Sequence, residues 1–248
     1  MKPNTRVVLF QFRSNEKAKK QEVASFVRTG GLSEKELYVC DVLSQTPSVE
    51  HLRKMTGIIL GGSPLHITSC PFRAELMRVL KYARCRGIPM LGVCFGAQFM
   101  ADIWGGHVEV LSKDGEHGTC PVRLESDMWR ENLFHGFPQN ILVQQAHDDC
   151  IVAPPIGSVV LATGSNRTLL RTIQAFGFPG MDIYGVQFHP ERSKADYDES
   201  LALKLEEDPH AKEEYFRALR ASLQETVVSE QVVRNFIDRC VRTNEISA

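Results

Sequence analysis

Pro89-Met90-Leu91-Gly92-Val93-Cys94-Phe95-Gly96-Ala97-Gln98 is the most informative stretch of the chain. Pro89 to Val93 is a short apolar run of the kind that fills the middle of a parallel sheet. Ala97 to Trp104 reads as a helix, closed by Gly105-Gly106. A cysteine between two glycines at such a junction reads as a nucleophile elbow. The glycines permit a sharp turn that lifts the thiol out of the sheet on a strained backbone, and the helix points its first amides at the sulfur. This predicts a lowered thiol pKa, a Phe95 N–H offered to an oxyanion, and Cys94 as the most readily alkylated of seven cysteines.

The flanking segments alternate in the same way. Arg6 to Phe12, Glu36 to Val42 and Gly57 to Leu60 read as strands, the last ending in Gly61-Gly62. Glu16 to Thr29 and Pro71 to Arg86 read as helices, the second because Phe72, Leu76, Val79, Leu80 and Ala83 recur at spacings of three and four. Strands alternating with helices predict a parallel sheet with crossover helices, a three-layer flavodoxin-like α/β fold. After Gly106 the texture changes to short alternating runs, at 108–111, 121–124, 141–144, 158–163, 173–176 and 183–188. They predict a smaller antiparallel sheet layered on the first. From Tyr197 the chain is charged and helical, with stripes at Phe216, Leu219 and Leu223 and at Val228, Val232, Val233, Phe236 and Ile237. The division expected is a domain over residues 1–195 and a helical extension over 196–248 packed on it.

Composition narrows the function. The 248 residues carry 29 Lys plus Arg against 30 Asp plus Glu, a net charge of -1, which argues against nucleic acid and against a polybasic membrane surface. Apolar runs are far shorter than a bilayer requires, and the N-terminus lacks a secretory pattern, so a cytoplasmic protein is expected. The seven cysteines are odd in number, scattered and without a CxxC, so neither disulfides nor a structural zinc site is indicated. Cys150 beside Asp148 and Asp149 has no ligand partner at suitable spacing beyond His147, and no metal is expected there.

A thiol nucleophile needs a base and a group to orient that base. Gly185-Val186-Gln187-Phe188-His189-Pro190-Glu191 offers both, because alternation along an extended segment sends His189 and Glu191 to one side. With the elbow this makes a Cys94, His189, Glu191 triad.

On these motifs the chain resembles the class I (triad-type) glutamine amidotransferase family over about residues 6–192. The Gly61-Gly62 turn, Gln98 four residues after the cysteine and the segment His147-Asp148-Asp149 fall in the family's order. The resemblance implies that Gly62 and Phe95 supply the oxyanion N–H groups, and that Gly61, Gln98 and His147 lie at the substrate. It implies glutamine or a γ-glutamyl small molecule as substrate, hydrolysed through a γ-glutamyl thioester, with no cofactor. Many ammonia-donating members read Gly-Gly-Pro at the turn, whereas this chain reads Gly61-Gly62-Ser63-Pro64-Leu65-His66. That is more like the stand-alone branch, which includes γ-glutamyl peptidases and guanylate-synthase-like hydrolases. No phosphate loop accompanies the motifs. Three readings stay open: a self-contained hydrolase, a glutaminase subunit delivering ammonia to a separate synthase, and a fold kept as a non-catalytic binding module.

Overall fold

The computed structural model describes residues 5–110, 115–125, 133–166, 169, 171–207 and 213–242. In chain order the first elements are β1 (Val7–Gln11), α1 (Glu16–Gly30), β2 (Leu37–Asp41), β3 (Gly57–Leu60), α2 (Arg73–Cys85), β4 (Met90–Val93) and α3 (Phe95–Ile103). Then come β5 (His107–Val110), β6 (Glu116–Leu124), β7 (Asn140–His147), β8 (Asp149–Ala153), β9 (Val159–Gly164), β10 (Thr172–Gly177) and β11 (Ile183–Val186). Helices α4 (Lys194–Glu207), α5 (Glu213–Ser222) and α6 (Val227–Asn235) complete the described chain, with one wide helical turn over Phe236–Val241.

Residues 7–10 are all fully buried, because successive side chains of a strand point to opposite faces and here both faces are covered. Val7, Leu9, Ile59, Leu91 and Val93 pack on one face with Phe26 of α1 and with Val232, Val233, Phe236 and Ile237. Val8, Phe10, Ile58, Leu60 and Met90 pack on the other with Leu76, Val79 and Leu80 of α2 and Phe95, Phe99 and Met100 of α3. The result is the three-layer α/β arrangement. The first face is closed by α1 together with C-terminal residues 232–241. Asn15 starts α1 by accepting the Ala18 N–H, and Gly31 ends it at φ 57°, in the left-handed region that suits glycine.

The sheet runs β2-β1-β3-β4-β11-β10-β9-β6-β7. Neighbours from β2 to β11 are parallel, and those from β11 onward are antiparallel. This corrects the expectation of a second sheet stacked on the first. Strand β11 pairs parallel to β4 on one edge and antiparallel to β10 on the other, so the later strands extend the same sheet sideways. A separate pair forms from β5 and β8. Strand β8 has no counterpart among the expected strands, since paired aspartates favour turns; it forms because Cys150 and Ile151 are buried and the segment pairs with β5. Among the described residues no helix is long and apolar enough to cross a membrane.

Packing is tight at the elbow. A Cβ at Gly96 would sit 2.4 Å from the Leu60 carbonyl oxygen and 2.6 Å from Leu60 Cβ, and one at Gly92 would sit 2.8 Å from the Ala97 nitrogen. Glycine is required at both positions by close approach, since the atoms in the way are backbone that cannot rotate aside. Gly96→Ala is therefore expected to destabilise the fold by about 1–3 kcal/mol. Urea unfolding measures this, and an unchanged midpoint would contradict the contact.

Candidate active site

Cys94 follows β4 with its N–H on the Val186 carbonyl at 2.8 Å, while the Gly96 N–H reaches the Gly61 carbonyl at 3.2 Å. These two bonds draw the chain ends after β3, β4 and β11 together at one point. Between them Cys94 adopts φ 51° and ψ -109°, a left-handed conformation costly for a side chain with a Cβ. The Phe95 N–H hydrogen-bonds the sulfur. Burial nevertheless pushes the thiol up to about 11, against the lowering effect of the Arg13 and Arg192 charges and the Phe95 amide. The expectation of a lowered thiol pKa is thus corrected: at 4% exposure, desolvation outweighs the helix end.

His189 Nδ1 donates to Glu191 Oε1 at 2.7 Å, and both side chains are buried. The pairing does not come from strand alternation, because β11 ends at Val186 and the chain turns at Pro190-Glu191. The Arg192 N–H returns to the His189 carbonyl at 3.3 Å, which folds the carboxylate back onto the ring. Burial opposes ionisation of Glu191, but the His189 ring and Arg192 together hold it below the usual carboxylate range. Burial, aided by Arg192, lowers His189 to about 4 despite Glu191. The imidazole is then neutral near pH 7, with its proton on Nδ1 and a basic lone pair on Nε2. Its Cε1 packs over Gly62, 2.9 Å from where a Cβ would be.

The Gly62 N–H does not stand open. It donates to Glu22 Oε1 at 3.2 Å, and the same oxygen accepts from Arg13 Nε at 3.1 Å. Glu22 Oε2 accepts from Gln11 at 3.1 Å. Burial raises the Glu22 pKa, with Arg13 opposing and Glu191 adding to the rise. A Cβ at Gly61 would meet the Glu22 carboxylate at 2.8 Å. Arg13 Nη2 is buried without a hydrogen-bond partner and lies 2.6 Å from the Cβ position of Gly62. Sequence reasoning missed Arg13, Glu22 and Arg192. An arginine two positions past a strand and a glutamate inside an amphipathic helix carry no local sign of meeting.

Gln98 is buried and donates to the Asp149 carbonyl at 2.7 Å and to Gln187 at 3.3 Å. His147 Nδ1 donates to the same carbonyl at 2.9 Å, so Gln98 and His147 converge on one backbone oxygen. The Asp149 carboxylate faces His66 Nδ1 at 2.9 Å.

A second Cys, His, Glu grouping lies beside this one, formed by Cys150, His147 and, from β6, Glu116. His147 Nε2 is 3.5 Å from Glu116 and Cys150 Sγ is 3.8 Å from His147 Nδ1. These donors are committed elsewhere: the His147 nitrogens contact the Asp149 carbonyl and Gln145 Oε1, and Glu116 accepts from Gln174 at 2.8 Å. Burial and the charges of Glu116 and Asp149 drive the Cys150 thiol far up, and burial lowers His147 to about 3. No strained elbow presents Cys150, so this grouping is the poorer nucleophile site.

The profile of the family described as "Glutamine amidotransferase class-I" matches residues 24–205. The chain is 33% identical over 160 residues to a glutamine-hydrolyzing GMP synthase of Listeria innocua, covering 63% of this chain and 28% of that protein. It thus spans little more than a quarter of that relative's length. It is 31% identical over 147 residues to one subunit of the glutamine-hydrolyzing GMP synthase of Sulfolobus acidocaldarius, covering 58% of this chain and 71% of that relative. The crystal structure of a glutamine amidotransferase from Thermotoga maritima superposes with a TM-score of 0.71 at 21% identity, covering 96% of this chain and 98% of that one. By the span of the profile and by these likenesses, the chain belongs to the class I glutamine amidotransferase family.

Proposed function

We propose that the protein hydrolyses the γ-amide of glutamine or of a γ-glutamyl compound, with Cys94 as nucleophile, His189 as base and acid, and Glu191 orienting His189. The observation that carries this reading is a buried His189–Glu191 pair whose ring packs over Gly62, in the turn that the strained Cys94 elbow is tied to through the Gly96 N–H and the Gly61 carbonyl. His189 Nε2 takes the thiol proton as sulfur attacks the carbonyl carbon. The Phe95 N–H receives the developing oxyanion, and the Gly62 N–H joins it when the Glu22 carboxylate gives way. His189 hands the proton to the nitrogen, the C–N bond breaks, and ammonia or an amine leaves a γ-glutamyl thioester. Water, deprotonated by His189, then releases glutamate and restores the thiol. Glu191 stays ionised and stabilises the imidazolium that forms in each half. Gln98 and His147 shape the amino-acid end of the pocket through the Asp149 backbone. No cofactor takes part, and free thiols at all seven cysteines suit a cytoplasmic setting.

A second reading is a glutaminase subunit that passes ammonia to a separate synthase. It is favoured by the likeness to a GMP synthase relative that is itself named as one subunit of that enzyme.

The test is release of ammonia or glutamate by the purified chain, alone and with a candidate synthase. Cys94→Ala is expected to lower turnover at least about 1000-fold with its unfolding midpoint nearly unchanged. Retained activity would remove Cys94 from the mechanism. Since the resting thiol and imidazole are both neutral, iodoacetamide is expected to modify the exposed Cys85 before the buried Cys94. Peptide mapping of labelled sites decides this, and a faster Cys94 would indicate a preformed thiolate. His189 is lowered to about 4, so it gains its proton only below that pH and serves as a base above it. The acid limb of kcat/KM is expected near pH 4, and a limb near 6.5 would show an unperturbed histidine.

A further inference from the structure

Beside His189 lies a cavity of about 180 Å³, lined among others by Arg13, Ser14, Asn15, Ser63, His189 and Arg192. Among the described residues its charged lining is two guanidinium groups, with no carboxylate. Glu22 and Glu191, which offset those charges, stand outside the lining. Arg13 brings a buried nitrogen with no hydrogen-bond partner, and Arg192 reaches Glu191 only at 3.6 Å. Helix α1 starts at the same wall, with Asn15 as its cap, and adds the positive end of its dipole.

The position tells what the cavity receives. His189 delivers the proton to the departing nitrogen, so the space on its cavity side takes whatever that nitrogen carries. Ammonia, close to water in size, needs on the order of 10–15 Å³, far less than this cavity offers. We infer that the preferred substrate is a γ-glutamyl compound whose amine portion bears a carboxylate, such as a γ-glutamyl amino acid, and that Arg13 and Arg192 bind that carboxylate. This rests on the proposed reaction for the placement of the leaving group. Arg13 and Arg192 line this cavity together with His189, and the Arg13 Nη2 and His189 Cε1 atoms both crowd the Cβ position of Gly62, at 2.6 and 2.9 Å. A guanidinium binds a carboxylate through paired, charge-assisted hydrogen bonds, and one without a full set of partners gains the most.

The experiment separates the pocket from the chemistry by using the Cys94→Ala protein, which binds without turning over. Calorimetric titration compares γ-glutamylglycine with γ-glutamylethylamide, in which a methyl group replaces the carboxylate. The glycine compound is expected to bind roughly 10- to 100-fold more tightly, the range that charge-assisted bonds span. Adding Arg192→Gln is expected to cut that ratio about tenfold, and Arg13→Gln likewise where its loss from Glu22 leaves the fold intact. Equal affinity, failure of both compounds to bind, or a ratio that survives Arg192→Gln would overturn the inference. The wild-type chain, assayed with both compounds and glutamine, tests the reaction separately. Absence of turnover with the affinity ratio intact would sink the hydrolase reading and leave the anion-binding pocket standing.

Discussion

The left-handed backbone of Cys94 is the constraint around which the site is organised. It persists because the structure on either side over-determines it: the Cys94 N–H is tied to β11 and the Gly96 N–H to the turn after β3. Those two bonds require α3 to approach β3 so closely that only glycine fits at Gly96. The thiol, the turn glycines and the His189 segment therefore meet through backbone geometry, before any side chain is chosen. This is the switch-point logic of open α/β sheets, in which ligands gather at the carboxyl ends of the central strands.

Burial then sets the chemistry. A helix N-terminus and two nearby arginines favour a thiolate, yet the thiol stays protonated because so little of it touches solvent. Glu191 is equally buried and goes the other way, since His189 donates to it at 2.7 Å and Arg192 stands beside it. One low-dielectric setting thus holds an ionised carboxylate, a neutral imidazole and a neutral thiol. The neighbouring Cys150 grouping shows what the same residue types do without an elbow: they satisfy one another as an internal hydrogen-bond network.

The parallel half of the fold is legible in the sequence because its signals are local. Val7 to Phe10 and Gly57 to Leu60 are apolar throughout, as doubly covered strands must be, and α2 announces its buried stripe at Leu76, Val79 and Leu80. The Cys94 elbow and the closeness of His189 to Glu191 are legible for the same reason, each lying in a short motif, although the pair meets through a turn after β11 and not through strand alternation. The layering of the second half is not, since alternation marks a strand without naming its neighbour, and β10 could have paired in a stacked sheet as well as beside β11. The direction of the thiol pKa escapes the sequence because burial at Cys94 is a property of the assembled loops. Arg13 and Glu22 escape it because their meeting depends on how α1 lies over β1.

Placing Arg13 and Arg192 together is costly, and the cost shows: burial first, and then the Arg13 charge, lowers the Arg192 pKa. Two carboxylates answer the two cations, Glu22 at 3.1 Å from Arg13 and Glu191 at 3.6 Å from Arg192, and burial raises the Glu22 pKa. Paired cations that repel one another in a half-enclosed space are relieved by an anion entering between them. A structural role alone would be served better by apolar side chains of similar size, which avoid the desolvation of charge altogether. On the proposed reaction a neutral leaving amine would not make use of them, and the two arginines fit a substrate that brings its own negative charge to the far side of the bond being broken.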